Sequence, residues 1–308
     1  MKKKRKKKNR IKYENFFYIL VIILVAVFLF KFLNNDDSSD NTVNESVNNI
    51  KENTPVANVK TEEEIKLEKL GNINEKLDFF KMEYLDRYVS YKEKNPNLDN
   101  ETVVVYVNIG LDQEFYTNVK DSPNKYTNIV LANKVNFLGS DYVPKNLTKI
   151  DANYSSGEKY MEKDAQVAFE EMAKAARNDG YRIRAVSTYR SYSYQEGLYN
   201  RYAASDGKEK ADTYSARPGY SEHQTGLAVD VDNYNQTYTS FGNTKEFNWM
   251  KENAYKFGYI LRYTKETEFI TGYMNEPWHY RYVGKDIAKY IHEHPMTYEE
   301  YYVRFLDK

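Results

Sequence analysis

The sequence predicts an α+β fold, a small sheet with flanking helices, on three observations. Ala165, Phe169, Met172, Ala173 and Ala176 fall at spacings of 4, 3, 1 and 3, an apolar helical stripe. Tyr181 to Ser187 (YRIRAVS) alternates as a half-buried strand does, and Leu227 to Val231 (LAVDV) is a short run suited to a buried strand. Helices and strands then follow one another without the regular alternation that a doubly wound parallel sheet requires.

From the N-terminus, residues 2–12 hold nine Lys or Arg and no acid, and Phe16 to Phe30 (FFYILVIILVAVFLF) is unbroken apolar sequence, extended by Phe32 and Leu33 past Lys31. About 18 residues at ~1.5 Å each approach the ~30 Å needed to cross a hydrocarbon core. No small-x-small cleavage pattern follows the run. The expectation for residues 1–33 is therefore a basic N-terminus in the cytoplasm followed by one uncleaved transmembrane helix over 16–33, with the remaining chain on the cell-wall side of the membrane. Residues 34–72 are rich in Asn, Ser and acids, and this composition predicts a flexible spacer with at most a short helix near Glu62 to Leu70.

An N-terminal subdomain is expected over 73–150. Within it Thr102 to Asn108 (TVVVYVN) and Ile129 to Lys134 (IVLANK) read as strands, because β-branched residues dominate both. The segment 151–296 carries the strongest patterns. The helix through Ala176 closes at Gly180, Ser191 to Ala204 predicts a second helix with Tyr194, Leu198, Tyr199 and Tyr202 on one face, and Phe247, Met250, Ala254 and Phe257 mark a third ended by Gly258. Lys285 to His294 predicts a charged helix, and 297–308 is left as a tail.

The formal charge is zero overall, but beyond residue 33 there are 35 Lys or Arg against 44 Asp or Glu. A body this acidic excludes a nucleic-acid partner, which needs a basic face to neutralise phosphates. The chain has no Cys, so it has neither disulfides nor a thiolate metal site, and any metal must sit on His and carboxylates.

There are four histidines. His292 and His294 lie at the charged end of a helix and read as surface residues. His223, in SEHQTGLAVD, precedes Gly226 and a strand that carries Asp230, so a loop imidazole can face a strand carboxylate. His279 stands three residues after Glu276 in EPWH. Two imidazoles and one carboxylate form a standard set for catalytic zinc, with the fourth position left to water. A further carboxylate that is not a ligand is needed to take a proton, and Glu276 is the candidate because its link to His279 keeps it nearby. Trp278 reads as packing beside the site, Arg217 to Gly219 as a loop-shaping segment, and Asp232 as an orienting partner for Asp230 or a ligand imidazole.

SEHQTGLAVD and EPWH, preceded by STYRSYSYQ at Ser187 to Gln195, resemble the signature of the zinc D-alanyl-D-alanine carboxypeptidases and dipeptidases of the VanY and VanX type, whose relatives include L,D-carboxypeptidases and some phage endolysins. The likeness covers roughly residues 143–292, and the 78–143 stretch resembles the extra N-terminal region of VanY-like enzymes. The resemblance implies a small antiparallel sheet with flanking helices and one Zn2+ per chain on His223, Asp230 and His279. It further implies Glu276 as general base, Arg190 as the group that stabilises the oxyanion, and Gln195 and Ser221 as residues lining the substrate site. The implied reaction is removal of the C-terminal D-alanine from peptidoglycan stem peptides. An L,D-carboxypeptidase acting on tetrapeptide stems, a peptidoglycan endopeptidase, and a non-catalytic wall-binding domain that keeps zinc for structure are the alternatives.

Overall fold

The computed structural model describes residues 60–235 and 237–307. Helix α1 (Glu62–Lys69) begins at a capping box in which Thr61 and Glu64 satisfy each other's backbone N–H. Helices α2 (Leu85–Lys94) and α3 (Asn100–Ile109) pack against each other and bury Leu85, Tyr88, Val103, Val104 and Val107 in one cluster. The strand expected at Thr102 to Asn108 is thus corrected to a helix. Asp99 caps it by accepting from Thr102 N at 2.8 Å, and Gly110 ends it at φ 104°. Those caps and burial on nearly every side outweigh the β preference of four valines.

Two short pairings follow, β1 (Lys120–Asp121) parallel to β2 (Asn136–Phe137), and β3 (Leu147–Lys149) antiparallel to β4 (Tyr160–Glu162). Between β1 and β2, Val130, Leu131 and Ala132 are buried but form no strand, which corrects the second β expectation. The carbonyls of Asn128 and Val130 are taken by the Arg281 guanidinium at 3.1 and 2.7 Å, so a side chain fills the place of a neighbouring strand.

Helix α4 (Lys163–Asn178) buries the predicted stripe, with Ala165, Phe169, Met172, Ala173 and Ala176 all inside. The chain continues through β5 (Arg184–Ser187), α5 (Tyr192–Asp206), α6 (Lys208–Asp212), β6 (Ala228–Asp232), α7 (Lys245–Asn253), β7 (Tyr259–Leu261), α8 (Glu268–Thr271), β8 (His279–Tyr282), α9 (Lys285–Glu293) and α10 (Tyr298–Phe305). On α5 the inward residues are Gln195 and Tyr199, whereas Tyr194 is exposed, so the buried face is rotated from the one expected. Strands β5, β6, β8 and β7 form the main sheet in that order, every pair antiparallel. Its core is shared with α4 and α7 through Phe169, Met172, Val229, Val231, Met250 and Tyr280. Residues 297–305 carry the capped helix α10, which buries Tyr298, Glu299, Tyr302 and Val303.

The α+β sheet and its flanking helices stand as expected, but the fold class is corrected on one point. Among the described residues no helix is long and apolar enough to cross a membrane. The longest, α4, has 16 residues and alternates its buried stripe with charged positions. The spanning helix expected over residues 16–33 lies outside the described residues, as does most of the expected spacer.

Candidate active site

The sheet register assembles the site. Asp230, the middle residue of β6, is directly opposite His279, the first residue of β8, and opposite Ser187 at the end of β5. His223 arrives from a single 3-10 turn (Glu222–Thr225), capped by Ser221 and closed by Gly226 at φ 72°. A Cβ at Gly226 would lie 3.1 Å from the Glu162 backbone nitrogen, so only glycine lets the turn sit this close to β4.

Hydrogen bonds on the far side of each ring set the two imidazoles. His223 donates from Nδ1 to the Thr188 carbonyl at 2.7 Å, which leaves Nε2 facing Asp230 Oδ2 at 3.3 Å. His279 is held the other way round, with Nε2 3.1 Å from Glu222 Oε2 and Nδ1 3.0 Å from Asp230 Oδ1. A carboxylate or carbonyl partner on the second nitrogen fixes the tautomer a metal ligand needs. The three donor atoms lie within 4.8 Å of one another, the one such cluster among the described residues. Bonds of about 2 Å from a tetrahedral ion place its ligands about 3.3 Å apart, so His223, Asp230 and His279 fit a zinc-like ion by spacing and by donor type.

Electrostatics follow from burial and from these contacts. Burial opposes charge on Asp230, but His223, His279 and Arg190 outweigh it and hold the carboxyl well below the usual range. Burial, then the Arg190 guanidinium, push His223 down against the opposing pull of the Asp230 carboxylate. Burial also disfavours charge on His279, yet its hydrogen bonds to Asp230 and Glu222 win and raise it to about 9, so metal binding there displaces a proton. Burial drives Glu276 up to about 8, with Asp230 adding to the rise and His279 opposing it. A cation seated on the three ligands would draw that carboxyl back towards its charged form.

Glu276 is buried, with Oε2 3.9 Å from His279 Nδ1, at the start of a turn whose backbone is pinned to Tyr263 O. Arg190 sits beside the ligands, donating to Asp230 Oδ2 at 2.9 Å and twice to Ser187 Oγ at 3.0 and 2.8 Å. Ser221 lines the cavity and caps the His223 turn. Gln195 is placed differently from expectation. It is 1% exposed, contacts Arg190 at 3.4 Å and donates to the Ala216 carbonyl at 2.8 Å, so it lies behind the cavity wall and orients what forms it. The cavity holds about 250 Å³ and is walled by Tyr202, Tyr214, Tyr238, Tyr263, Met274 and Trp278. Trp278 both packs on the core and lines this space, edge-on to Tyr238 at 5.3 Å. Asp232 does not orient the ligands. Its carboxylate binds Arg184 at 2.7 and 3.1 Å, the residue directly opposite it in the β5–β6 register. His292 and His294 are exposed and stack on Tyr255 and Tyr290.

Sequence reasoning missed Glu222 and Ser187. Glu222 reads as one more charged loop residue between Ser221 and His223, and only the fold reveals that its side chain turns inward to His279. No spacing signal pairs it with a residue 57 positions away.

Residues 158–285 match the VanY family, D-alanyl-D-alanine carboxypeptidase. A mutant of the vancomycin-resistance D,D-pentapeptidase VanY from a VanB-type cassette, solved in complex with Zn(II), is 32% identical, with a TM-score of 0.50 over 56% of this chain and 98% of that one. The chain belongs to the VanY family. The LdcB LD-carboxypeptidase, solved for its peptidoglycan recognition, is 39% identical at a TM-score of 0.58, over 61% of this chain and 91% of that one. YodJ of Bacillus subtilis strain 168 is 42% identical over 181 residues, which are 56% of this chain and 66% of that protein. The chain spans two-thirds to less than half of the length of the curated relatives it matches first. The VanY match contains every residue placed at the cavity floor, from Arg190 to His279.

Proposed function

We propose that this VanY-family protein is a zinc-dependent carboxypeptidase that removes the C-terminal D-alanine from peptidoglycan stem peptides. The observation that carries the reading is the floor of the cavity, where three buried donors converge and a fourth, non-converging carboxylate, Glu276, stands 3.9 Å from one of them. A binding module that keeps zinc for structure has no use for that extra buried acid. His223, Asp230 and His279 would hold the ion, which when bound acidifies water and polarises a peptide carbonyl.

The remaining steps belong to the chain's own side chains. Glu276, ionised beside the ion, takes the proton from the attacking water on its carboxylate and returns it to the leaving amine, with burial keeping bulk water from exchanging it. Arg190, fixed by Ser187 and Asp230, supplies an immobile positive charge next to the negative oxygen that develops on the substrate. The aromatic wall of Tyr202, Tyr214, Tyr238 and Trp278 suits a short peptide end with small side chains. We propose the cell-wall side of the cytoplasmic membrane as the protein's site of action, a reading supported by the basic run at residues 2–12 followed by the apolar run at 16–30.

The likeness to the LdcB LD-carboxypeptidase supports a second reading, in which the tetrapeptide stem is the substrate. Incubating the protein with pentapeptide, tetrapeptide and cross-linked stems, and quantifying free D-alanine, separates them. The first reading predicts release mainly from pentapeptide. Release from tetrapeptide alone would transfer the assignment to the second, and cleavage confined to cross-links would contradict both.

A further inference from the structure

Glu222 is one corner of a buried ionic network that extends well away from the cavity. Its Oε1 accepts from Arg262 Nε at 2.8 Å and from Arg281 Nη1 at 3.1 Å, while its Oε2 faces His279 Nε2. The outer edge of Arg262 is occupied by Glu299, through Nη1 to Oε2 at 2.9 Å and Nη2 to Oε1 at 2.5 Å. Glu299 Oε1 also accepts from Asn133 at 3.1 Å. All four charged side chains are at most 2% exposed, and their charges balance, two guanidinium groups against two carboxylates. Glu299 belongs to α10 and Asn133 to the loop before β2, both outside the 158–285 stretch that matches the family.

We infer that α10 is part of the metal site, with Glu299 a positioning residue that acts on His279 through Arg262 and Glu222. Because Glu299 holds both outer nitrogens of Arg262, only the Nε edge of that guanidinium is presented to Glu222, and Glu222 Oε2 stays free for the imidazole. Without the Glu299 charge, two guanidinium groups share a single buried carboxylate. Arg262 then competes for Oε2, and the acceptor that keeps the His279 proton on Nε2 and its Nδ1 lone pair towards Asp230 is weakened. Partners of this kind orient ligands and set their basicity, and losing one lowers metal affinity. The alternative is that Glu299 merely docks α10, a burden its neighbour Val303 shares from the same helix through the apolar cluster of α2 and α3.

The inference rests on His279 being a ligand, and the test separates the two. Zinc affinity of the full chain is measured by competition with a chromophoric chelator, together with the visible spectrum of the cobalt-substituted protein, for the parent, His279→Ala, Glu299→Gln, Glu299→Asp and Val303→Ala. Glu299→Gln is expected to bind zinc about 10-fold more weakly and to shift the cobalt bands. Glu299→Asp, which keeps the charge, should fall between it and the parent, and Val303→Ala should match the parent whatever it does to the melting temperature. If Glu299→Gln fails to fold, Glu299→Asp carries the comparison. Parent-like affinity in the Glu299 variants, or an equal loss in Val303→Ala, overturns the inference. Undiminished zinc binding by His279→Ala would instead overturn the metal-site reading beneath it.

Discussion

Glu276→Gln is expected to lower kcat by about 10²- to 10⁴-fold, the range a positioned acid–base group contributes, while zinc affinity stays close to that of the parent. The amide keeps the size of the side chain in a buried turn but can neither take a proton nor return one. Glu276 is not among the three converging donors, so its loss leaves the ion's protein ligands intact. Steady-state kinetics on a pentapeptide stem and a zinc titration of the same preparation check both halves. Activity near that of the parent would remove Glu276 from the chemistry. A collapse of zinc binding would make it a ligand and return the search for a base to the rest of the cavity.

His223→Ala should abolish zinc-dependent stabilisation along with activity. An ion that binds only the folded state adds about 2.7 kcal/mol when its concentration is about 100-fold above Kd. The parent should therefore melt at a higher temperature with zinc than with a chelator, and the variant should melt alike in both. His223 is the informative ligand to remove because its other ring nitrogen meets only a backbone carbonyl, Thr188 O, whereas removing His279 also takes the imidazole from Glu222 Oε2 and disturbs the buried network behind it. Equal zinc-induced shifts in parent and variant would mean that the ion sits elsewhere.

The site residues were legible in the sequence wherever chain neighbours are also spatial neighbours. SEHQTGLAVD encodes a turn, a glycine and a strand, so the approach of His223 and Asp230 follows from local structure, and the EPWH turn likewise ties Glu276 to His279. That these two pieces meet depends on the pairing of β6 with β8, which no local pattern announces and only the family resemblance implies. Contacts made only by the fold left no trace. Glu222, Arg262, Arg281 and Glu299 look like ordinary surface charges in sequence, yet together they are buried behind His279. Local preference misled at Thr102 to Asn108, where caps at Asp99 and Gly110 and burial on nearly every side make a helix of a valine run. It misled again at Ile129 to Lys134, where the Arg281 side chain supplies the hydrogen bonds that a strand would have received from another strand. On α5 the tyrosines suggested one face, but the need to hold Arg190 and the 215–216 loop turns Gln195 inward instead.

The most direct test of the central claim is the mass of the products formed from a UDP-linked pentapeptide by the full-length protein, first stripped of metal and then given back one equivalent of zinc. The account predicts no change in the stripped protein, and on zinc addition the loss of one alanine residue with a matching amount of free D-alanine. Cleavage that persists without metal, release of a dipeptide or a cut further inside the stem would contradict it.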